Sequence, residues 1–216
     1  MHAFDAIVFD MDGLLVDSEP VWQTAEHAVV EGHGVAADAA FHQQITGVGI
    51  LEWAQATRAH YGLAAPPEQL QRELLDGMLR LIPERVRAQP GAREVLAFVG
   101  ERALPRAIAS SSHLSLIQAT LAAMGWGEVF PIRCSAEEVP RGKPAPDVYL
   151  LAAERLGVDP TRCLALEDSP TGARAARAAG MTCWAVPDPA HTTARAFDGI
   201  TPHVFADLNE LLRALA

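Results

Sequence analysis

The feature that most constrains this chain is an apolar strand that runs directly into two aspartates. The run Ala6–Phe9 predicts a strand buried on both faces, and Asp10-Met11-Asp12-Gly13 follows it. Side chains two residues apart in an extended chain project to the same side, so the two carboxylates leave the strand end together. Their repulsion is relieved if a divalent cation binds between them, or if one is held protonated. An ordinary strand that ends in an acidic turn is the alternative.

Composition restricts the class of protein. The 216 residues are 50% hydrophobic and 20% charged, which predicts one globular domain or one domain with a large insertion. A net charge of -10 argues against nucleic acid and anionic membranes as partners. The sequence shows neither a signal peptide nor an apolar run long enough to span a bilayer, so we expect a cytoplasmic protein. Cys134, Cys163 and Cys183 are scattered, and buried free thiols are expected.

The stretch from Pro20 to about Arg87 contains helical periodicity and no convincing strand. Four helices are predicted, the first from Pro20 to near Gly32 and the others over residues 39–45, 51–61 and 68–81. The breaker run Thr46-Gly47-Val48-Gly49 separates the second helix from the third. Short helices with brief connections predict a small bundle. Its apolar stripe is expected to form a core rather than a ligand cage, and consists of Trp22, Trp53, Leu70, Leu74 and Leu81.

From Pro90 onward helices and strands alternate, which predicts a parallel sheet covered on both faces. The predicted strands cover residues 106–109, 129–134, 163–166 and 182–186. The predicted helices are one that Pro90-Gly91 opens and that runs through Val95 to Val99, and others over residues 112–124, 147–156, 171–179 and 208–215. In such sheets ligands bind outside the carboxyl ends of the strands. The helical block therefore reads as an insertion just after the first strand.

Reactive side chains follow three of these later strands. Ser110-Ser111-Ser112-His113 precedes a predicted helix, where the serines serve either as helix caps or as a phosphate site. Lys143 stands between a glycine and a proline, on a loop; it is either a surface lysine or a fixed cation. Glu167-Asp168 ends the strand over residues 163–166, where either acid alone could simply cap the next helix.

Taken together, these positions resemble the four motifs of the haloacid dehalogenase superfamily: Asp10-Met11-Asp12-Gly13, Ser110, Lys143 and Glu167-Asp168. The resemblance covers essentially the whole chain. It implies an α/β, Rossmann-like parallel-sheet core (residues 1–15 and 88–216) with an inserted all-helical cap domain (residues 16–87). The second aspartate, Asp12, marks the phosphoryl-transferring members. Within these, the chain is most similar to the β-phosphoglucomutase and 2-deoxyglucose-6-phosphate phosphatase group.

The resemblance also implies roles for the residues. Mg²⁺ would be bound by Asp10, Asp168 and the backbone carbonyl of Asp12. Glu167 would lie in or near the second coordination shell of the metal. Asp10 would attack phosphorus to form an aspartyl phosphate, and Asp12 would serve as general acid and base. Lys143 would assist catalysis by neutralising charge. The substrate phosphate would be held by the following residues: Asp10, Met11, Asp12, Ser110, Ser111 and Lys143.

Three functions remain open from sequence. A Mg²⁺-dependent phosphatase acting on a small phosphorylated metabolite, possibly a sugar phosphate, is favoured. A phosphomutase of the β-phosphoglucomutase type is the alternative; its cap histidine and arginine would fall at Trp22 and Ile50 here, and neither residue can neutralise a distal phosphate. A non-catalytic binding protein is disfavoured because every motif position keeps its reactive residue.

Overall fold

The computed structural model describes residues 4–45, 48–189 and 192–216. The chain forms two compact units. The first comprises the chain up to Asp17 together with Arg87–Ala216, and the second is Ser18–Val86. Strands β2 (Val16–Asp17) and β3 (Arg87–Ala88) pair antiparallel, so both chain crossings belong to the first unit. This two-residue ladder is absent from the sequence prediction, because so short a strand carries no periodicity.

The first unit is built on a five-stranded sheet in which every pairing is parallel. Its strands are β1 (Ala6–Phe9), β4 (Arg106–Ser110), β5 (Ile132–Ser135), β6 (Cys163–Glu167) and β7 (Thr182–Ala185). The spatial order is β5-β4-β1-β6-β7, so the predicted first strand lies at the centre. The predicted α/β fold with a Rossmann-like parallel sheet is confirmed.

Five helices of the described residues cover this sheet. They are α5 (Ala92–Glu101), α6 (Leu114–Met124), α7 (Asp147–Leu156), α8 (Pro170–Ala178) and α9 (Leu208–Leu215). Short 3₁₀ helices cover Ala136–Glu138, Pro160–Arg162 and Ala194–Phe197. Between β1, β4, β6 and helices α7 and α8 lies a core rich in alanine, which lets the helices approach the sheet closely. The three cysteines are buried free thiols, as predicted.

Two predicted boundaries in this unit are wrong. The strand expected over residues 129–134 begins only at Ile132, because Val129 and Phe130 form a turn whose N–H groups bind the Trp126 carbonyl. The helix expected from Ser112 begins at Leu114 with His113 as its N-cap residue. The side chain of Ser112 binds a carboxylate instead of capping the helix.

Over its described residues, the second unit contains four helices, as predicted: α1 (Glu19–Gly32), α2 (Ala39–Ile45), α3 (Ile50–Tyr61) and α4 (Pro67–Arg85). Trp53, Leu70 and Leu74 are buried in its core, whereas Trp22 and Leu81 are half-buried at its margin. Thr46 and Gly47 of the predicted breaker lie outside the described residues. Among the helices that the structure describes, none combines the length and the apolar character needed to cross a membrane.

Candidate active site

Three carboxylates converge at the carboxyl ends of two neighbouring strands. Phe9 of β1 pairs with Leu166 of β6, and the N–H of Asp10 donates to the Leu166 carbonyl at 2.9 Å. This register brings Asp10 beside Glu167 and Asp168, and one carboxylate oxygen from each of the three lies within 4.8 Å of the others. The grouping of strand-end acids predicted from the sequence is therefore present in the structure.

Lys143 lies against this cluster as a buried cation. Its Nζ donates to Asp10 Oδ1 at 2.7 Å and to Glu167 Oε1 at 2.6 Å, with only 6% of the side chain exposed. Burial works against the ammonium, but the charges of Asp10 and Glu167 outweigh it and raise the pKa of Lys143. Lys143 is therefore a fixed cation and not a surface lysine.

One lysine does not balance the acids around it. Burial, reinforced by Glu167 and Asp12, raises the pKa of Asp10 to about 7 despite the attraction of Lys143. Burial together with Asp10 and Glu167 likewise raises the pKa of Asp168. The excess negative charge destabilises the ionised carboxylates and is relieved when a cation binds among them.

Glu167 is fully buried, and each of its two carboxylate oxygens accepts two hydrogen bonds. Oε1 accepts from Lys143 and from the Tyr149 hydroxyl, each at 2.6 Å. Oε2 accepts from the Ser169 backbone N–H at 3.2 Å and from its hydroxyl at 3.1 Å. A Cβ at Gly172 would lie 1.8 Å from Oε1, so only glycine leaves room for this carboxylate. Glu167 thus anchors Lys143.

Gly13 allows the turn after the two aspartates to approach Asp168. Its φ is +81°, and a Cβ there would lie 2.1 Å from Asp168 Oδ2. Any side chain at this position would be strained in its backbone and would displace the Asp168 carboxylate. The glycine that ends the first motif is therefore a packing requirement of the acid cluster.

The serine segment after β4 contacts Asp12. Ser110 is the last residue of β4, and its hydroxyl lies 3.3 Å from Asp12 Oδ2. The Ser112 hydroxyl donates to the same oxygen at 2.8 Å, and the Ser112 N–H donates to Ser110 Oγ at 3.0 Å. Met11 is buried, whereas Ser111 is exposed between its two neighbours.

Two contacts of the site are missing from the sequence prediction: that of Ser112, which is named there only as a helix cap or phosphate ligand, with Asp12, and that of Tyr149 with Glu167. Ser112 has the local pattern of a helix cap, and Tyr149 that of an apolar helix residue, so neither carries a signal of its contact. One feature does hint at a contact of Tyr149. Its side chain lies at a buried position of α7, and a buried phenol hydroxyl needs a hydrogen-bond partner.

The acid cluster fits a divalent cation. Three carboxylates with oxygens in reach of one another supply the hard ligands that Mg²⁺ prefers. Asp10 and Asp168 are the better candidates, since both oxygens of Glu167 already accept hydrogen bonds.

The haloacid dehalogenase-like hydrolase family model matches residues 4–180. The chain therefore belongs to this family of hydrolases, as predicted. Among its relatives is hexitol phosphatase B of Escherichia coli (strain K12), which is 37% identical over 186 residues, 85% of this chain and 84% of the relative. Fructose-1-phosphate phosphatase YqaB of the same organism is 33% identical over 178 residues, 82% and 94% of the two chains.

Solved structures agree with the fold. CbbY from Rhodobacter sphaeroides, in complex with phosphate, is similar with a TM-score of 0.85 at 27% identity, over 96% of each chain. The predicted enzyme class, a phosphoric monoester hydrolase, is confirmed by the family and these relatives.

Proposed function

We propose that this chain is a Mg²⁺-dependent phosphatase that hydrolyses a small sugar or polyol phosphate through an aspartyl phosphate on Asp10. The observation that carries the proposal is the cluster formed by buried Asp10, buried Glu167 and half-buried Asp168 at the carboxyl edge of the sheet, with Lys143 paired to the first two. The substrate class is supported by relatives that are named for hexitol and fructose 1-phosphate.

Charge decides how such a site works. A phosphomonoester dianion repels a carboxylate nucleophile, so positive charge must be supplied before attack. Asp10, Asp168 and the backbone carbonyl of Asp12 would hold Mg²⁺, which neutralises phosphoryl oxygens when bound. Lys143 contributes a second positive charge, and its contact with Asp10 Oδ1 keeps this carboxylate in place.

The remaining residues have two roles under this proposal: one group binds the phosphate, and Asp12 transfers protons. Ser110, Ser111, Lys143 and the N–H groups of Met11 and Asp12 would bind the phosphoryl oxygens not engaged by Mg²⁺. As Asp10 attacks phosphorus, the bond to the sugar oxygen breaks and Asp12 donates a proton to it. Asp12 then accepts a proton from the water that hydrolyses the aspartyl phosphate and regenerates Asp10.

The proposal is tested by incubating the chain with Mg²⁺ and p-nitrophenyl phosphate, followed by a panel of sugar, polyol, nucleotide and glycolate phosphates. Hydrolysis of the aryl ester with a preference for sugar or polyol phosphates is the expected result. Absence of phosphate release from every ester would contradict the proposed activity, and a preference for nucleotides would contradict the substrate class.

We expect Asp168→Ala to raise the Mg²⁺ concentration for half-maximal activity by more than about 10-fold, because a direct ligand is lost. EDTA should silence the wild type reversibly. Calcium should inhibit, since its larger and looser coordination misplaces Asp10 relative to phosphorus. The measurement is a Mg²⁺ titration of initial rates, with Asp5→Ala as the control because Asp5 is exposed and pairs with Arg162. Full activity of the wild type in chelator would exclude the metal site.

We also expect hydrolysis and not isomerisation. A mutase must hold a second phosphate in its cap, yet the positions at which the resemblance would place histidine and arginine are Trp22 and Ile50. In the second unit Trp22 is half-buried and Ile50 is 8% exposed, and neither carries a charge. The enzyme is incubated with β-glucose 1-phosphate and a trace of the 1,6-bisphosphate, and glucose 6-phosphate and free phosphate are followed. Sustained glucose 6-phosphate formation faster than phosphate release would establish the mutase instead.

A further inference from the structure

We propose that Ser112 is a positioning residue for Asp12, an inference that rests on the proposed phosphatase function. Its hydroxyl donates to Asp12 Oδ2 at 2.8 Å, and it is the shorter of the two serine contacts to that oxygen. A hydrogen bond to one oxygen fixes the rotation of the carboxyl group about its side-chain bonds. Asp12 is thereby held in one orientation, ready to exchange a proton with the sugar oxygen.

Ser112 is itself held in place by two further hydrogen bonds. Its N–H donates to Ser110 Oγ at 3.0 Å, and its carbonyl accepts from the Ser135 hydroxyl at 2.7 Å. The residue is 9% exposed, and it lies between the end of β4 and the start of α6. Because His113 is the N-cap residue of α6, the Ser112 hydroxyl is not used to begin the helix.

Ser110 cannot replace Ser112 in this role during catalysis. Its hydroxyl lies 3.3 Å from Asp12 Oδ2, and under the proposed function the same hydroxyl binds a phosphoryl oxygen. A hydroxyl has one proton to donate, so donation to phosphate removes donation to Asp12. The Ser112 hydroxyl then remains as the serine donor to Asp12.

The experiment compares leaving groups. A sugar alkoxide needs a proton from Asp12 as its bond to phosphorus breaks, whereas p-nitrophenolate is stable enough to leave without one. We therefore expect Ser112→Ala to lower kcat/KM for the best sugar phosphate of the panel by roughly 10- to 100-fold, part of the usual contribution of general acid catalysis. For p-nitrophenyl phosphate, kcat/KM should fall by less than about 3-fold.

Matched variants separate positioning from packing. Ser112→Thr and Ser112→Val have nearly the same shape, and Thr alone keeps a hydroxyl, so the substrate-dependent loss should appear in Val and be largely absent from Thr. This pair also replaces Ser112→Ala if that variant fails to fold.

The experiment distinguishes failure of the Ser112 proposal from failure of the proposed phosphatase function. An equal fall in kcat/KM for both substrates in Ser112→Ala, or equal behaviour of the Thr and Val variants, would overturn the role of Ser112 and leave the phosphatase function intact. Hydrolysis of neither substrate by the wild-type protein would overturn the proposed function itself.

Discussion

Replacing Asp10 with asparagine is expected to reduce turnover by roughly 10³-fold or more while leaving the protein folded. An amide cannot form the acyl phosphate, and it is a poorer ligand for Mg²⁺ than a carboxylate. The fold should persist because asparagine has the same shape and removes one charge from a site with excess negative charge. Initial rates with saturating Mg²⁺ and the thermal unfolding midpoint are the two measurements.

Asp5→Asn is the matched control for this variant. Asp5 precedes the same strand at its opposite end and pairs with Arg162. The same chemical change there should leave kcat within about 2-fold of the wild-type value. Asp5 and Arg162 form an exposed ion pair, and such a pair contributes little to stability, so its loss should not disturb the fold. Retention of a tenth of the wild-type activity by Asp10→Asn would exclude the covalent mechanism.

Replacing Lys143 with methionine is expected to lower the free energy of unfolding in EDTA by about 3–5 kcal/mol. The variant keeps a similar side-chain volume but leaves Asp10 and Glu167 buried without their shared cation. Urea unfolding measures the loss, and saturating Mg²⁺ should recover part of it. Phosphatase activity should also fall by at least about 10²-fold, because under the proposed function Lys143 would supply positive charge to the phosphoryl group.

A double variant tests whether the loss comes from charge or from packing. Glu167→Gln added to Lys143→Met removes one of the two unpaired carboxylates, so the double variant should be more stable than Lys143→Met alone. A double variant less stable by the sum of the two single losses would show that the pair contributes no coupling energy. The buried ion pair would then not be the reason for the destabilisation.

The acids of the site were predictable from sequence because each group of them directly follows an apolar run that has the pattern of a buried strand. An apolar run followed by Asp10, or by Glu167 and Asp168, fixes both the strand and its carboxyl end. Parallel pairing brings those ends to one edge whatever the intervening loops do. The order of the strands within the sheet was not predictable, because it depends on which helices cover which face.

The hydroxyl contacts were not predictable for a different reason. Ser112 and Asp12 are 100 residues apart, and the serine has the local environment of a helix cap. Tyr149 and Glu167 are 18 residues apart on different elements, and the tyrosine has the helical spacing of a core residue. Contacts of this kind arise from tertiary packing alone, so the hydrogen bonds to Asp12 and Glu167 appear only in the structure.

The short antiparallel ladder between β2 and β3 bears on how the segment inserted between these strands can change in evolution. Asp17 pairs with Arg87, so the chain leaves the first unit and returns to it at hydrogen-bonded neighbours. The ends of the inserted segment Ser18–Val86 are therefore already joined, and segments of other lengths close at almost the same entropic cost. Evolution can therefore exchange this segment as a unit, while the acid cluster of the first unit stays in place.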